Sequence, residues 1–164
     1  MRSAFLILLA SAVLAALPAA AESASRGGAA EPWATVNVCD TETSQNQIGI
    51  RGSMPGIARK TRMYMRFRVQ YKDAEGHWRT VRSGADSGWR KVATARRGEH
   101  DAGWTFEFQP RASGGAWELR GVVSFHWRRD DRVVRRDRRF TEDGHPGTAG
   151  AEPPDFSAAT CAIA

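Results

Sequence analysis

Residues 62–72 read RMYMRFRVQYK, and the way this stretch alternates decides the fold. Met63, Met65, Phe67, Val69 and Tyr71 hold the odd positions, while Arg62, Tyr64, Arg66, Arg68, Gln70 and Lys72 hold the even ones. Successive side chains of a β-strand leave opposite faces, so a period of two sends an apolar row to one side and a cationic row to the other. A helix would scatter the same residues round its circumference. A strand with one dry and one wet face belongs to an antiparallel sheet.

The rhythm recurs on both sides of this stretch. Trp33 to Cys39 (WATVNVC) and Ile48 to Met54 (IGIRGSM) read as strands, the second stopped by Pro55-Gly56. Asp73-Ala74-Glu75-Gly76 supplies turn residues, so His77 to Val81 is expected to return as a hairpin partner. Gly88 to Ala95 is a further strand, and the charged run Arg96 to Gly103 (RRGEHDAG) reads as a loop. Trp104, Phe106 and Phe108 alternate with Thr105 and Glu107. Trp117 to Trp127 forms a long strand with Trp117, Leu119, Gly121, Val123, Phe125 and Trp127 facing inward. Arg129-Asp130-Asp131-Arg132 turns it into a second hairpin through Val133 to Phe140 (VVRRDRRF). That returning strand carries Arg on both faces, as an edge strand does to avoid pairing with a neighbouring molecule. Glu142 to Asp155 is a turn-rich crossing, and Phe156 to Ile163 closes the chain with Ala159, Cys161 and Ile163 on one face.

Eight or nine short strands with no amphipathic helix favour an all-β fold of two antiparallel sheets packed face to face, with a closed barrel as the alternative. Over Trp33 to Ile163 the pattern resembles the immunoglobulin-like β-sandwich, the broad family that includes fibronectin type III and cadherin modules. The chain is also similar to small secreted proteins of high-GC Gram-positive bacteria. Two departures from the antibody pattern stand out. Cys39 and Cys161 would join the first strand to the last, and the tyrosine corner is absent. The resemblance implies no particular activity.

The N-terminal residues read as a targeting segment. Met1-Arg2 precedes an apolar run from Ala4 to Leu17, and Ala19-Ala20-Ala21 offers a cleavage site before Glu22. That run is about 14 residues, short of the ~20 a spanning helix needs. The expected organisation is a signal peptide at 1–21, a flexible lead-in at 22–32 and one domain at 33–164. An uncleaved anchor is the alternative. Secretion without a membrane span follows, and in an oxidising compartment Cys39 and Cys161 read as one disulfide. Free or catalytic thiols are the competing reading.

The chain has 24 Lys plus Arg against 18 Asp plus Glu, a formal net charge of +6. Lys occurs only at Lys60, Lys72 and Lys91, a bias that also fits genome composition. The loudest local signal is the second hairpin, with Arg128, Arg129, Arg132, Arg135, Arg136, Arg138 and Arg139. The functional reading is a polyanion-binding surface of Arg135, Arg136, Arg138 and Arg139, extended by Arg66, Arg68 and Lys72. Guanidinium forks suit phosphate and carboxylate. Teichoic acid, acidic polysaccharide and extracellular nucleic acid are the candidate polymers, or an envelope protein; intracellular nucleic acid is not expected. The bland reading is a solvated edge.

Six tryptophans raise a carbohydrate-binding module, with Trp33, Trp78 and Trp89 as the freer rings. A peptidase inhibitor presenting Ala112–Ala116 or Arg96–Gly103 is a further alternative. Glu99-His100-Asp101 has no good metal spacing, since adjacent residues do not converge on one ion. No Gly-x-Ser-x-Gly, His-Glu-x-x-His or phosphate-loop motif is present, although a hydrolase site can assemble in space. The expectation is therefore a non-catalytic binding or structural module without cofactor or metal.

Overall fold

The structure is a computed structural model that describes residues 30–111 and 114–164. The expected signal peptide at 1–21 and most of the lead-in at 22–32 lie outside the described residues, as do Ala112 and Ser113 of one candidate inhibitor loop.

The alternating stretch forms the third of nine strands among the described residues. In chain order these are β1 (Trp33–Cys39), β2 (Gln47–Pro55), β3 (Thr61–Lys72), β4 (Trp78–Thr80), β5 (Arg90–Ala95), β6 (Glu99–Glu107), β7 (Trp117–Arg129), β8 (Arg132–Phe140) and β9 (Cys161–Ile163). They build two antiparallel sheets packed together, with no helix among the described residues. The smaller sheet runs β1-β2-β6. The larger runs β4-β3-β7-β8, with β5 also on β3 and β9 also on β7. This is a β-sandwich. Lettered in chain order, β1, β2 and β6 stand as A, B and E, and β4, β3, β7 and β8 as C′, C, F and G, the layering of an immunoglobulin-type sandwich. β5 departs from the constant-type arrangement by pairing with β3 instead of β6.

β3 is the spine of the larger sheet. Ten residue pairs, from Arg62↔Arg128 to Tyr71↔Leu119, join it to β7. Its other edge is covered piecewise by β5, then by the loop Ala85–Ser87, then by β4. No stretch of its backbone is left as an open template, which suits the strand that carries the core. Met63, Met65, Phe67 and Val69 are all fully buried. They meet Leu119, Val123, Phe125 and Trp127 of β7, and Ile48, Ile50 and Met54 of β2. The indole Nε1 of buried Trp127 donates to the Pro55 carbonyl at 2.8 Å, so its polar handle is satisfied.

Gly121 shows how tightly the sheets approach. A Cβ there would lie 2.6 Å from Thr141 Cγ2 and 2.8 Å from Ile50 Cδ1. Thr141 is itself buried, accepting from the Gly121 N–H at 3.0 Å and donating to the Ala159 carbonyl at 2.6 Å. The crossing from Glu142 is pinned to the smaller sheet. Ala158 exchanges backbone bonds with Val36, and Glu152 accepts from the hydroxyls of Thr41, Thr43 and Ser44. Those hydroxyls hold the Glu152 carboxyl below the usual range.

Cys39 and Cys161 form the expected disulfide, tying the end of β1 to β9 across a separation of 122 residues. In the chain-entropy view a closure of that length contributes about 4–5 kcal/mol.

Two expectations are corrected. Arg96–Gly103 is not a loop throughout, because β6 begins at Glu99 and pairs with Pro55 and its neighbours on β2. Its charges obscured a strand whose outer face meets water. Phe156–Ile163 is strand only from Cys161, and the preceding residues hold Ala158 as an isolated bridge to Val36. Trp104, Phe108 and Trp117 point inward but stay half-buried at the sandwich margins.

Phe67→Ala or Phe125→Ala is expected to cost about 3–5 kcal/mol, and Arg68→Ala under about 1 kcal/mol, in urea denaturation. Gly121→Ala should also destabilise strongly by overpacking. Equal costs at Phe67 and Arg68 would refute the assignment of faces.

Candidate functional site

The outer face of the larger sheet is built from the even row of β3. The β3–β7 register sets Tyr64 beside His126, Arg66 beside Ser124, Arg68 beside Val122 and Gln70 beside Arg120. β8 continues these rows, with Arg136 beside His126, Arg138 beside Ser124 and Phe140 beside Val122. Lys91 of β5 sits beside Tyr64, and Trp78 of β4 beside Lys72.

A one-residue bulge decides which hairpin arginines belong here. The turn Asp130-Asp131 has both φ values positive, 47° and 63°, as a two-residue hairpin turn requires and as Asp tolerates. From it Arg129↔Arg132 and Arg128↔Val133 pair in step, but the register then shifts so that Trp127 meets Arg135. Val134 is the extra residue. A shift of one exchanges the faces of everything beyond it. Arg136 and Arg138 therefore join the outer face, while Arg135 and Arg139 turn toward the inner side. There Arg135 stacks on Trp127 at 4.6 Å, and Arg139 is paired with Glu31 at 2.8 Å and Asp137 at 3.3 Å. β8 is indeed an edge strand of the sheet.

The seven arginines and lysines expected to form one site thus divide. Arg66, Arg68, Lys72, Arg136 and Arg138 share the outer face; Arg135 and Arg139 do not. Of the five, Arg66 is engaged by both oxygens of Asp86 and Lys72 by Glu118 at 3.1 Å. The Arg66 guanidinium, through its hydrogen bonds, holds the Asp86 carboxyl below the usual carboxylate range. Arg68, Arg136 and Arg138 have no carboxylate partner among the described residues, and neither do Arg120, Arg128 and Lys91 of the same face, whereas Arg62 is paired with Asp131.

Aromatic rings alternate with these cations. Arg120 lies 4.3 Å from the Trp78 ring and 4.1 Å from Phe140, and Arg138 lies 5.7 Å from Phe140. Arg128 lies 4.8 Å from Tyr64, and His126 stacks on Trp89 at 3.9 Å. Cation–ring pairs of this kind contribute about 0.5–1 kcal/mol each where exposed. They also hold long side chains against the sheet, leaving Val122 almost fully buried beneath them. Arg68 Nε, Arg128 Nε and His126 Nδ1 are buried polar atoms without a partner among the described residues. Burial, then the charges of Arg128 and Arg136, push the His126 imidazole below its ordinary range.

Sequence reasoning left Arg120, Ser124 and His126 out of this site. The signal was present: they share the even parity of Trp117–Trp127, but nothing in the sequence sets that row against β3. The tryptophans expected to be freer are used internally, Trp78 by Arg120, Trp89 by His126, and Trp33 by a stack on His145 at 4.2 Å. Strand alternation sends Glu99 and Asp101 to the side opposite His100, whose Nε2 lies 3.2 Å from the Arg97 carbonyl. Away from this face, a cleft of about 710 Å³ opens where the sheets part, walled by Tyr71, Val81, Phe108 and Trp117.

Comparison with protein-family models, curated proteins and solved structures finds no match to this chain.

By NMR titration His126 should show a pKa below the ordinary imidazole value, and Arg136→Ser should raise it. The unfolded chain takes up that proton at the ordinary value while the folded protein resists it. Folding stability therefore falls as pH drops below that value, and His126→Gln should flatten this part of the profile. A His126 pKa indifferent to Arg136 would place the guanidinium out of reach of the ring.

Proposed function

We propose that the protein is a secreted, non-catalytic binding module that takes an anionic polymer of the cell envelope or its surroundings on the outer face of its larger sheet. One observation carries the reading. Arginines without carboxylate partners among the described residues stand on β7 and β3 as well as on β8: Arg120 and Arg128 on β7, and Arg68 on β3. Edge protection accounts for charge on β8 but not for charge on strands paired on both sides. Like charges gathered on one face repel in the free protein, and an anionic partner relieves that repulsion. Guanidinium donors bind phosphate, sulfate or carboxylate, and their affinity falls steeply with salt through counterion release.

The disulfide is compatible with an extracellular location, and no helix among the described residues is long and apolar enough to cross a membrane. The reading needs no cofactor or metal.

The test is binding to envelope material and soluble anionic polymers at low and moderate salt. Arg136→Ser with Arg138→Ser should weaken binding and flatten its salt dependence, by about 0.7–0.9 in logarithmic slope for each arginine–anion pairing removed. Arg135→Ser with Arg139→Ser, which leaves net charge identical to the first pair, should leave the slope unchanged. Equal losses from both pairs would reduce the effect to bulk charge and remove the face as a site.

A further inference from the structure

We infer that the anion taken on this face is an esterified tetrahedral oxyanion, as repeated along a phosphodiester chain or a sulfated polysaccharide, seated over Ser124 between Arg68 and Arg138 and beside His126. The inference rests on the proposed polyanion reading and narrows its ligand.

Ser124 lies on the middle strand of the face, with Arg138 beside it on β8. On the other side Arg66 is closed off by Asp86, but Arg68 reaches across, its Nη2 lying 3.4 Å from Ser124 Oγ. The Arg68 Nε is buried without a partner. Arg68 thus reaches this hydroxyl from β3, and Arg138 holds the paired position on β8. Strands in a sheet lie about 4.8 Å apart, so guanidiniums flanking β7 reach toward a ligand from opposite sides. A carboxylate has two oxygens in one plane and takes a guanidinium edge along it, as Asp86 does from Arg66, with the Gly88 N–H adding to Oδ1. An anion whose oxygens leave a common plane can accept from both sides and from the hydroxyl between them.

The rings argue against reading of nucleobases. Single-stranded nucleic acids bind such sheets by stacking bases on aromatic faces. Here Trp89 already stacks on His126, and Phe140 is flanked by Arg120 and Arg138. The polymer is therefore recognised by its charged groups.

His126 adds a proton to the account. Its Nδ1 is buried and unpartnered. Tyr64 of β3 and Lys91 of β5 face its row, with the Arg66–Asp86 pair diagonal to it. Ser124 and Arg128 flank it on β7, and Arg136 and Arg138 face it from β8. The nearest unneutralised charges are all positive, which favours the neutral ring. A bound anion favours the imidazolium instead, so binding takes up a proton and strengthens as pH falls.

The experiment uses the disulfide-bonded secreted protein with four probes matched for charge and ionic strength. These are poly(glycerol phosphate), dextran sulfate, polygalacturonate and oligothymidylate. Poly(glycerol phosphate) or dextran sulfate should bind at least about tenfold more tightly than polygalacturonate, and the better of the two identifies the source. Ser124→Val or, independently, Arg68→Gln should abolish that preference. The His126 pKa should rise on binding, and the gain in affinity between about pH 8 and 5 should vanish in His126→Gln. Polygalacturonate binding equally well with His126 unmoved would overturn this inference and leave the polyanion face standing. Binding of none of the probes at low salt would overturn both. Oligothymidylate binding more tightly than poly(glycerol phosphate), and losing that advantage in Trp89→Ala, would make base stacking the mode and overturn the choice of ligand.

Discussion

The antiparallel ladder between β3 and β7 is the constraint on which the rest of the molecule depends. Its ten residue pairs hold two alternating rows in register, so one set of side chains becomes the floor of the core and the other becomes a continuous outer face. The inner set is fully buried Met63, Met65, Phe67 and Val69 against Val123, Phe125 and Trp127. Each large side chain so buried contributes roughly 1.5–3 kcal/mol from removal of apolar surface. A slip of one residue would send those groups to water and bring arginines into the core. The packing that stabilises the sandwich therefore also gathers the cations of the opposite face.

That outer face has a structural consequence of its own. Arginine and lysine stems lie across it, and guanidiniums rest on Trp78, Tyr64 and Phe140. The arrangement holds the cations against rings, so less side-chain freedom would be lost in the proposed binding. It also shields Val122, the one fully apolar β7 residue on that side, from water. Stability and the proposed recognition draw on the same groups here.

The larger sheet is kept open on this face because the chain closes elsewhere. The long crossing after β8 runs over the smaller sheet, where Glu152 is held by Thr41, Thr43 and Ser44 and Ala158 pairs with Val36. The Cys39–Cys161 disulfide then anchors the last strand to the first. The crossing is thus committed to the β1 edge, and β9 joins the larger sheet only beside residues 117–119 of β7.

Most of the fold was legible in the amino-acid order, because a period of two in RMYMRFRVQYK and in Trp117–Trp127 is a local property that backbone geometry converts directly into faces. The hairpin turn at Asp130-Asp131, the edge position of β8 and the pairing of Cys39 with Cys161 were legible for similar reasons. β6 was half hidden, since the charges of Glu99 and Asp101 on a wet face look the same as those of a loop. The composition of the site was not local. Which arginines of VVRRDRRF share a face with Arg68 turns on the bulge at Val134, and only the pairing with Trp127 and Arg128 reveals it. Likewise Ser124, His126 and Arg120 become neighbours of the β3 row through a register between residues far apart in the chain. Alternation is written in the chain, but the registration of one alternating row against another is set by the packing of the core they share.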